Sequence, residues 1–318
     1  MGETAKAPPA KGEKVVEVRG LVKRFGARTI LREVGFEVRA GEVLGFIGPN
    51  GSGKTTTIRC MAGLMRMDGG QVRILGHDVH KDFEKAIAQV GCLVENPELY
   101  KYMSGYANLL HFSRMYPDVS RERIREVVAR VGLEKPIRNR VKTYSLGMRQ
   151  RLGIAQAILH RPAVLLLDEP ANGLDPEGIR DLRLLLRSLA DQEGMAILIS
   201  SHLLSELEQF CDRVVVIRSG LVIAEGEMES LLQSAVQSPV EVAFTVGSPE
   251  RALEVLGGVQ EGVVFLEGSV VVVRCLQEEV PEKVAALVGG GVAVLSVVPR
   301  SASLEDRYLQ MAGGGGIE

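Results

Sequence analysis

VLGFIGPNGSGKTTTIRCMAGL, residues 43–64, decides the fold of this chain. A short apolar run is followed by three closely spaced glycines, a lysine and a string of threonines that opens a helix-like pattern. Strand, glycine-rich turn and helix in that order, with G-x-x-x-x-G-K-T at 48–55, make a phosphate-binding P-loop. Gly48, Gly51 and Gly53 let the backbone turn tightly and bring N–H groups close to a polyphosphate, while Pro49, Asn50 and Ser52 complete the loop. The helix that follows aims its partly positive end at the same anion. Lys54 is placed to reach the outer phosphates, the Thr55 hydroxyl to hold Mg²⁺, and Thr56 to offer a second hydroxyl.

Working outward, AVLLLDEP at 163–170 is a second buried strand, and it delivers Asp168 and Glu169 at its carboxyl end. Sheets of this kind place their ligand crevices at that end. Asp168 is suited to the Mg²⁺ shell and Glu169 to polarising a water for attack on a terminal phosphate. Further apolar runs, VVEVRG at 15–20, MAILIS at 195–200 and RVVVIR at 213–218, alternate with helix-patterned segments. That alternation predicts an α/β layer architecture. In Arg121 to Val131, residues Ile124, Val127, Val128 and Val131 share one helical face and Ser120 precedes as N-cap.

The chain has 318 residues, 46% of them hydrophobic, and a formal charge of −2. This is enough for two domains with apolar cores. No apolar run is long enough for a membrane span, since the nearest, at 284–298, is interrupted by Gly289, Gly290 and Gly291. Residues 1–14 lack an apolar segment and read as a flexible leader, not a signal peptide. Cys60, Cys92, Cys211 and Cys275 are widely separated, which excludes a C-x-x-C zinc site and a disulfide framework and suits a reducing compartment. The balanced charge, without a cationic block, gives no footprint for nucleic acid.

Strand signals vanish between about 95 and 160, so a helical insert is expected there within an α/β body at 15–235. From residue 240 to 318 the pattern changes to strand, helix, strand, strand, helix, strand and a short helix from Ser303, the split β-α-β or ferredoxin-like order. The boundary is expected at residues 230–239, where the chain turns polar and Pro239 interrupts.

Between the P-loop and the acidic strand's end lies YSLGMRQRLGIAQA, residues 144–157. Together these segments resemble an ATP-binding cassette (ABC) ATPase over 15–235, with YSLGM in the place of the family's LSGGQ signature. The resemblance implies a P-loop NTPase core of RecA type with a helical insert. It implies that Ser145, Leu146, Gly147 and Met148 contact the γ-phosphate of ATP held by the opposite subunit. Tyr144, Leu146 and Met148 depart from the family pattern, yet a hydroxyl and one glycine remain at a helix N-terminus. By the same likeness Asp175 of ANGLDP belongs to the D-loop at the dimer seam, His202 is the switch histidine beside the γ-phosphate, and Phe25 stacks on adenine.

One departure carries mechanistic content. Glu95, in VGCLVENPELY, stands where the family usually has Gln in the loop entering the helical insert. It keeps an oxygen acceptor for Mg²⁺ or the attacking water but loses the amide donor and adds a negative charge beside Asp168 and Glu169. Such a Glu loop is similar to that of the bacitracin-resistance and lantibiotic-immunity branch of exporters, and LEDRYLQM at 304–311 resembles the tail of exporter cassettes for drugs, peptides or polysaccharides.

The resemblance implies an ATPase that dimerises head to tail around two ATP, as a homodimer or with a related cassette. It would drive a separate integral membrane permease from the cytoplasmic face of the membrane, with docking expected near Glu95, Tyr100 and the helical insert. An alternative is a non-transport ABC ATPase acting on ribosome or DNA, against which stand the single cassette, the missing coiled-coil insertion and the missing basic surface. A nucleotide-binding module without turnover is disfavoured by the intact Lys54, Asp168, Glu169 and His202.

Overall fold

The computed structural model describes residues 9–95, 97–230, 240–257 and 263–299. The chain divides into two compact units, Met1–Met228 and Glu229–Glu318. The expected leader over its first eight residues, most of the expected linker, the helix from Ser303 and the tail at 304–311 lie outside the described residues.

The first unit contains two sheets. An antiparallel one is built from β1 (Lys14–Phe25), β2 (Arg28–Arg39), β4 (Gly69–Ile74) and β5 (His77–Asp78), ordered β2-β1-β4-β5. The other is built from β3 (Val43–Ile47), β6 (Val90–Leu93), β7 (Val164–Leu167), β8 (Ala196–Ser201), β9 (Arg213–Arg218) and β10 (Leu221–Glu227), ordered β10-β9-β3-β8-β7-β6. All its pairings are parallel except the last hairpin, β9 with β10. Continuous apolar runs suit such strands, because both faces are covered. Every residue of β3, β7 and β8 is buried.

Helices α1 (Lys54–Met61), α2 (Phe83–Ile87), α3 (Gly105–Ser113), α4 (Arg121–Arg130), α5 (Leu146–Ala157), α6 (Pro176–Glu193) and α7 (Leu204–Leu207) connect the strands. Their ends follow from local chemistry. In α6, Asp175 accepts a hydrogen bond from the Gly178 N–H at 2.9 Å, Pro176 takes the first turn, and Gly194 closes the helix at φ 67°. Leu182, Leu185, Leu186 and Leu189 form its buried stripe. Ser120 caps α4 as its position suggests, accepting from the Arg123 N–H at 3.2 Å.

Helices α3, α4 and α5 occupy the stretch where strand signals fail. Arg123 of α4 ties that stretch to the core. Its guanidinium donates to the carbonyls of Ile158, the C-cap of α5, at 2.8 Å and of Leu159, just beyond it, at 3.2 Å. His160 follows, with Nε2 3.1 Å from the Val90 carbonyl of β6 and its ring stacked on Tyr116 at 4.5 Å.

The second unit runs β11 (Val240–Val246), α8 (Pro249–Val255), β12 (Val263–Glu267), β13 (Val270–Cys275), α9 (Val280–Gly289) and β14 (Val294–Pro299). Its antiparallel sheet has the order β12-β13-β11-β14. Val242, Phe244, Val246, Val271 and Val273 fill its core with Ala252, Leu256 and Leu287. The strand-helix-strand, strand-helix-strand order is the one that the alternating pattern suggests.

Burial holds the His160 imidazole below its usual pKa. The folded chain therefore keeps it neutral at pH values where the unfolded chain takes up a proton. Its stabilising contribution is complete above about pH 6.5 and is lost as pH falls toward the lowered folded value. Urea midpoints at pH 7 and pH 5 should show a smaller acid loss of stability in His160→Gln than in the parent chain; equal losses would exclude His160 as the source.

Candidate functional site

The parallel strand order brings the chemistry together. Strand β8 lies between β3 and β7, with Ile47 opposite Ser201 and Leu167 opposite Ile199, so all three carboxyl ends emerge at one edge. The loop 48–53 leaves β3 there, Asp168 and Glu169 leave β7, and His202 leaves β8. Leu93 pairs with Leu167, which carries the loop bearing Glu95 to the same edge.

The P-loop permits few other residues. A side chain at Gly48 would meet the Ile217 carbonyl at 2.2 Å, and Gly53 has φ 113° with Leu31 pressed against it. Ser52 donates its N–H to the Pro49 carbonyl at 3.1 Å, while its own hydroxyl is buried with no hydrogen-bond partner. Such an orphaned polar atom inside a loop of N–H groups suits an incoming anion. Thr55 and Thr56 are half-buried on the first turn of α1, and Asn50 and Gly51 are exposed at the loop tip.

Lys54 is only 5% exposed, so its ammonium needs partners. It donates to the Gly48 carbonyl at 2.7 Å and lies 3.4 Å from Glu169 Oε1. The second oxygen of Glu169 lies 3.3 Å from His202 Nδ1, without hydrogen-bond alignment. Lysine, glutamate and histidine thus form one chain of charge and polarity across the ends of three strands. Glu169 itself has φ 46°, a left-handed conformation that costs a non-glycine residue about 1–2 kcal/mol. The strain sets this carboxylate between the other two groups.

Asp168 is 3% exposed and accepts from the Ser200 hydroxyl at 2.6 Å. The same hydroxyl oxygen accepts the Glu169 N–H at 2.9 Å. Ser200 is therefore a positioning residue for both acids. It escapes a motif reading because it is fully buried and lies 32 residues from Asp168; its trace in the sequence is the serine pair before His202. Cys92 lies near Asp168, and its thiol, pushed up to about 12 by burial and then by that carboxylate, stays protonated.

Glu95 is the position where geometry adds most. Instead of standing among the other acids uncompensated, it pairs with Arg59 of α1 at 2.6 Å, and its backbone adopts φ 62°. The added charge thus meets a counter-charge that sequence order alone does not reveal. Phe25 is 51% exposed, with the Lys23 ammonium 5.2 Å from its ring centroid, so one face of an aromatic surface is open at the end of β1. Ser145 caps α5 by accepting from the Met148 N–H at 3.2 Å, and Leu146, Gly147 and Met148 form its first turn. These four residues line a cleft with Asp175, and none of the P-loop borders it. Within one chain, signature and P-loop are separate.

A family model described as ABC transporter matches residues 31–172. The uncharacterized ABC transporter ATP-binding protein YdbJ of Bacillus subtilis (strain 168) is 46% identical over 298 residues, 94% of this chain and 95% of its own length. The chain belongs to the ABC transporter ATP-binding proteins. The bacitracin transport ATP-binding protein BcrA of Bacillus licheniformis is 34% identical over 95% of this chain and 99% of its own. A solved ATP-binding subunit of an ABC transporter aligns with TM-score 0.62 at 30% identity, covering 69% of this chain and 92% of that one. As a cassette of this family the chain is an ATPase coupled to transport, and such cassettes dimerise and act with membrane permeases. No helix among the described residues is long and apolar enough to cross a membrane.

Ser200→Ala removes the hydroxyl that fixes Asp168 and the Glu169 N–H. Steady-state ATP hydrolysis should fall about 10–100-fold, with a rightward shift in its Mg²⁺ dependence. Phosphate release measured across a Mg²⁺ titration checks this; an unshifted titration with full turnover would remove Ser200 from the positioning role.

Proposed function

We propose that two copies of this cassette, or one copy and a related cassette, close head to tail around two ATP and power an export permease. The observation that carries the reading is the Lys54, Glu169 and His202 chain at the P-loop, set apart from the Ser145 cleft of the same chain. Lys54 exchanges its carbonyl and carboxylate partners for the β- and γ-phosphates. Phe25 stacks on the adenine, and the N–H groups of the loop from Gly48 to Gly53 receive the phosphate oxygens.

Glu169, released from Lys54, orients a water for in-line attack on the γ-phosphate, and His202 holds that phosphate from the next strand. Ser145 and the Gly147 N–H of the facing subunit complete the cage, with Asp175 at the seam. ATP therefore closes the dimer and hydrolysis reopens it, which is the motion a permease can use.

The donor set fits Mg²⁺. A hydroxyl at Thr55 and one buried carboxylate at Asp168 suit an ion that keeps waters and takes most other ligands from phosphate, and no three acidic, histidine or cysteine side chains among the described residues are arranged to hold a metal ion by themselves. Held by Thr55 and Asp168, Mg²⁺ would supply positive charge to offset the charge that develops on the terminal phosphate. Glu95 would approach the ion or the attacking water only by leaving Arg59.

The permease is proposed to dock beside Tyr100 and Tyr102, which are 39% and 71% exposed at the start of the helical insert. The same reading sets the cassette against the cytoplasmic face of the membrane, through that permease. The likeness to BcrA supports a drug, peptide or lipid-like cargo.

Glu169→Gln keeps the side-chain volume and removes the base. ATP turnover should drop by at least about 10²-fold while ATP-dependent dimers persist in size-exclusion chromatography. Unchanged turnover would remove Glu169 from the catalytic role.

A further inference from the structure

Two clefts of opposite charge remain in the first unit. Arg28, Thr29, Ile30 and Arg32 lie in the first half of β2, where its pairing with β1 is irregular. With Gly51 at the tip of the P-loop and Ser219, they line an open cleft of 580 Å³. Both arginines are exposed, neither makes an ion pair among the described residues, and no acidic residue lines the cleft. Its lining therefore carries two uncompensated positive charges.

The second cleft, of 390 Å³, lies between the first turns of α5 and α6. Its charged lining is Arg151, Asp175, Glu177 and Asp181, three carboxylates against one guanidinium. Arg151 pairs with Asp181 at 3.3 Å, and Asp175 is occupied with the Gly178 N–H. Glu177 is exposed and makes no ion pair among the described residues. The clefts share no lining residue, so one chain does not bring them together.

We propose that the Arg28 and Arg32 cleft at the P-loop tip of one copy receives Glu177 at the start of α6 in a second copy, and that this pairing sets the orientation of the closed cassette dimer. The inference rests on the reading that the P-loop of one chain meets the signature of another. A two-fold arrangement makes the contact twice, once at each nucleotide. Exposed pairs of this kind act mainly on encounter and orientation, and salt screens them within about 8 Å at physiological ionic strength. A dimer mated the wrong way round would set Arg28 and Arg32 against their own copies and be repelled.

The test uses the full chain carrying Glu169→Gln, with ATP and Mg²⁺, and reads the dimer dissociation constant by sedimentation at low and raised salt. Arg28→Glu with Arg32→Glu should weaken the dimer about tenfold at low salt and flatten its salt dependence, and Glu177→Arg should do the same. Combining all three reversals should recover most of the affinity. The milder Arg28→Gln with Arg32→Gln should fall between, with ATP affinity of the dilute monomer unchanged. Reversals that leave the dissociation constant unmoved, a triple variant that does not recover, or a loss traced to monomer ATP affinity would overturn the pairing, the last by assigning the arginines to nucleotide. A parent chain that fails to dimerise with ATP would instead overturn the composite-site reading, and the pairing with it.

Discussion

A buried ammonium governs the catalytic edge of this cassette. Lys54 is nearly excluded from water, and its charge is tolerable only while acceptors surround it. The Gly48 carbonyl, the Pro49 carbonyl at 3.4 Å and Glu169 supply them. On the proposed reading a triphosphate becomes the stronger partner, and its arrival frees Glu169 from Lys54. The carboxylate proposed to activate water would thus be restrained until the substrate that needs it is present. Ser200 keeps the exchange local by holding the Asp168 carboxylate and the Glu169 backbone in place while the Glu169 side chain changes partner.

The parts that were readable in the sequence are those whose physics is local. A strand, a glycine turn and a threonine-led helix within 22 residues declare a phosphate loop, and AVLLLDEP declares its acidic partner. A cap such as Ser120 works within three residues of itself and could be seen in the same way. Contacts across long separations could not. Ser200 meets Asp168 and Arg59 meets Glu95 only after the parallel strands have assembled, at separations of 32 and 36 residues. The positive φ of Glu169 and of Glu95 has no sequence mark, because neither residue type favours it and only the assembled sheet edge imposes it. The second unit was legible as an order of elements, since the alternation VEVAFTV in β11 gives period two, the unbroken valines of β13 read as a buried strand, and α9 gives a helical stripe.

The helical insert connects the signature to the Glu95 loop through backbone. Helix α5 begins at the signature and spans 12 residues, about 18 Å at the rise of an α-helix. Its far end is fixed three ways. Arg123 holds the two carbonyls that follow it, His160 reaches the Val90 carbonyl, and Gly91 of β6 lies so close that a side chain there would meet the Ala157 carbonyl at 2.4 Å. A displacement of Ser145 along the helix axis therefore presses on β6, and β6 leads within two residues of its end to Glu95. Buried groups at this joint leave little slack, because packed interiors transmit small shifts instead of absorbing them. Closing the signature onto a partner's nucleotide would accordingly be felt at the Arg59 and Glu95 pair, an exposed contact worth at most about 1 kcal/mol and so cheap to break. On the proposed reading, Glu95 in place of the usual glutamine matters less as a permanent extra charge than as a side chain with two addresses, the Arg59 guanidinium it pairs with here and the metal or water edge of a closed dimer.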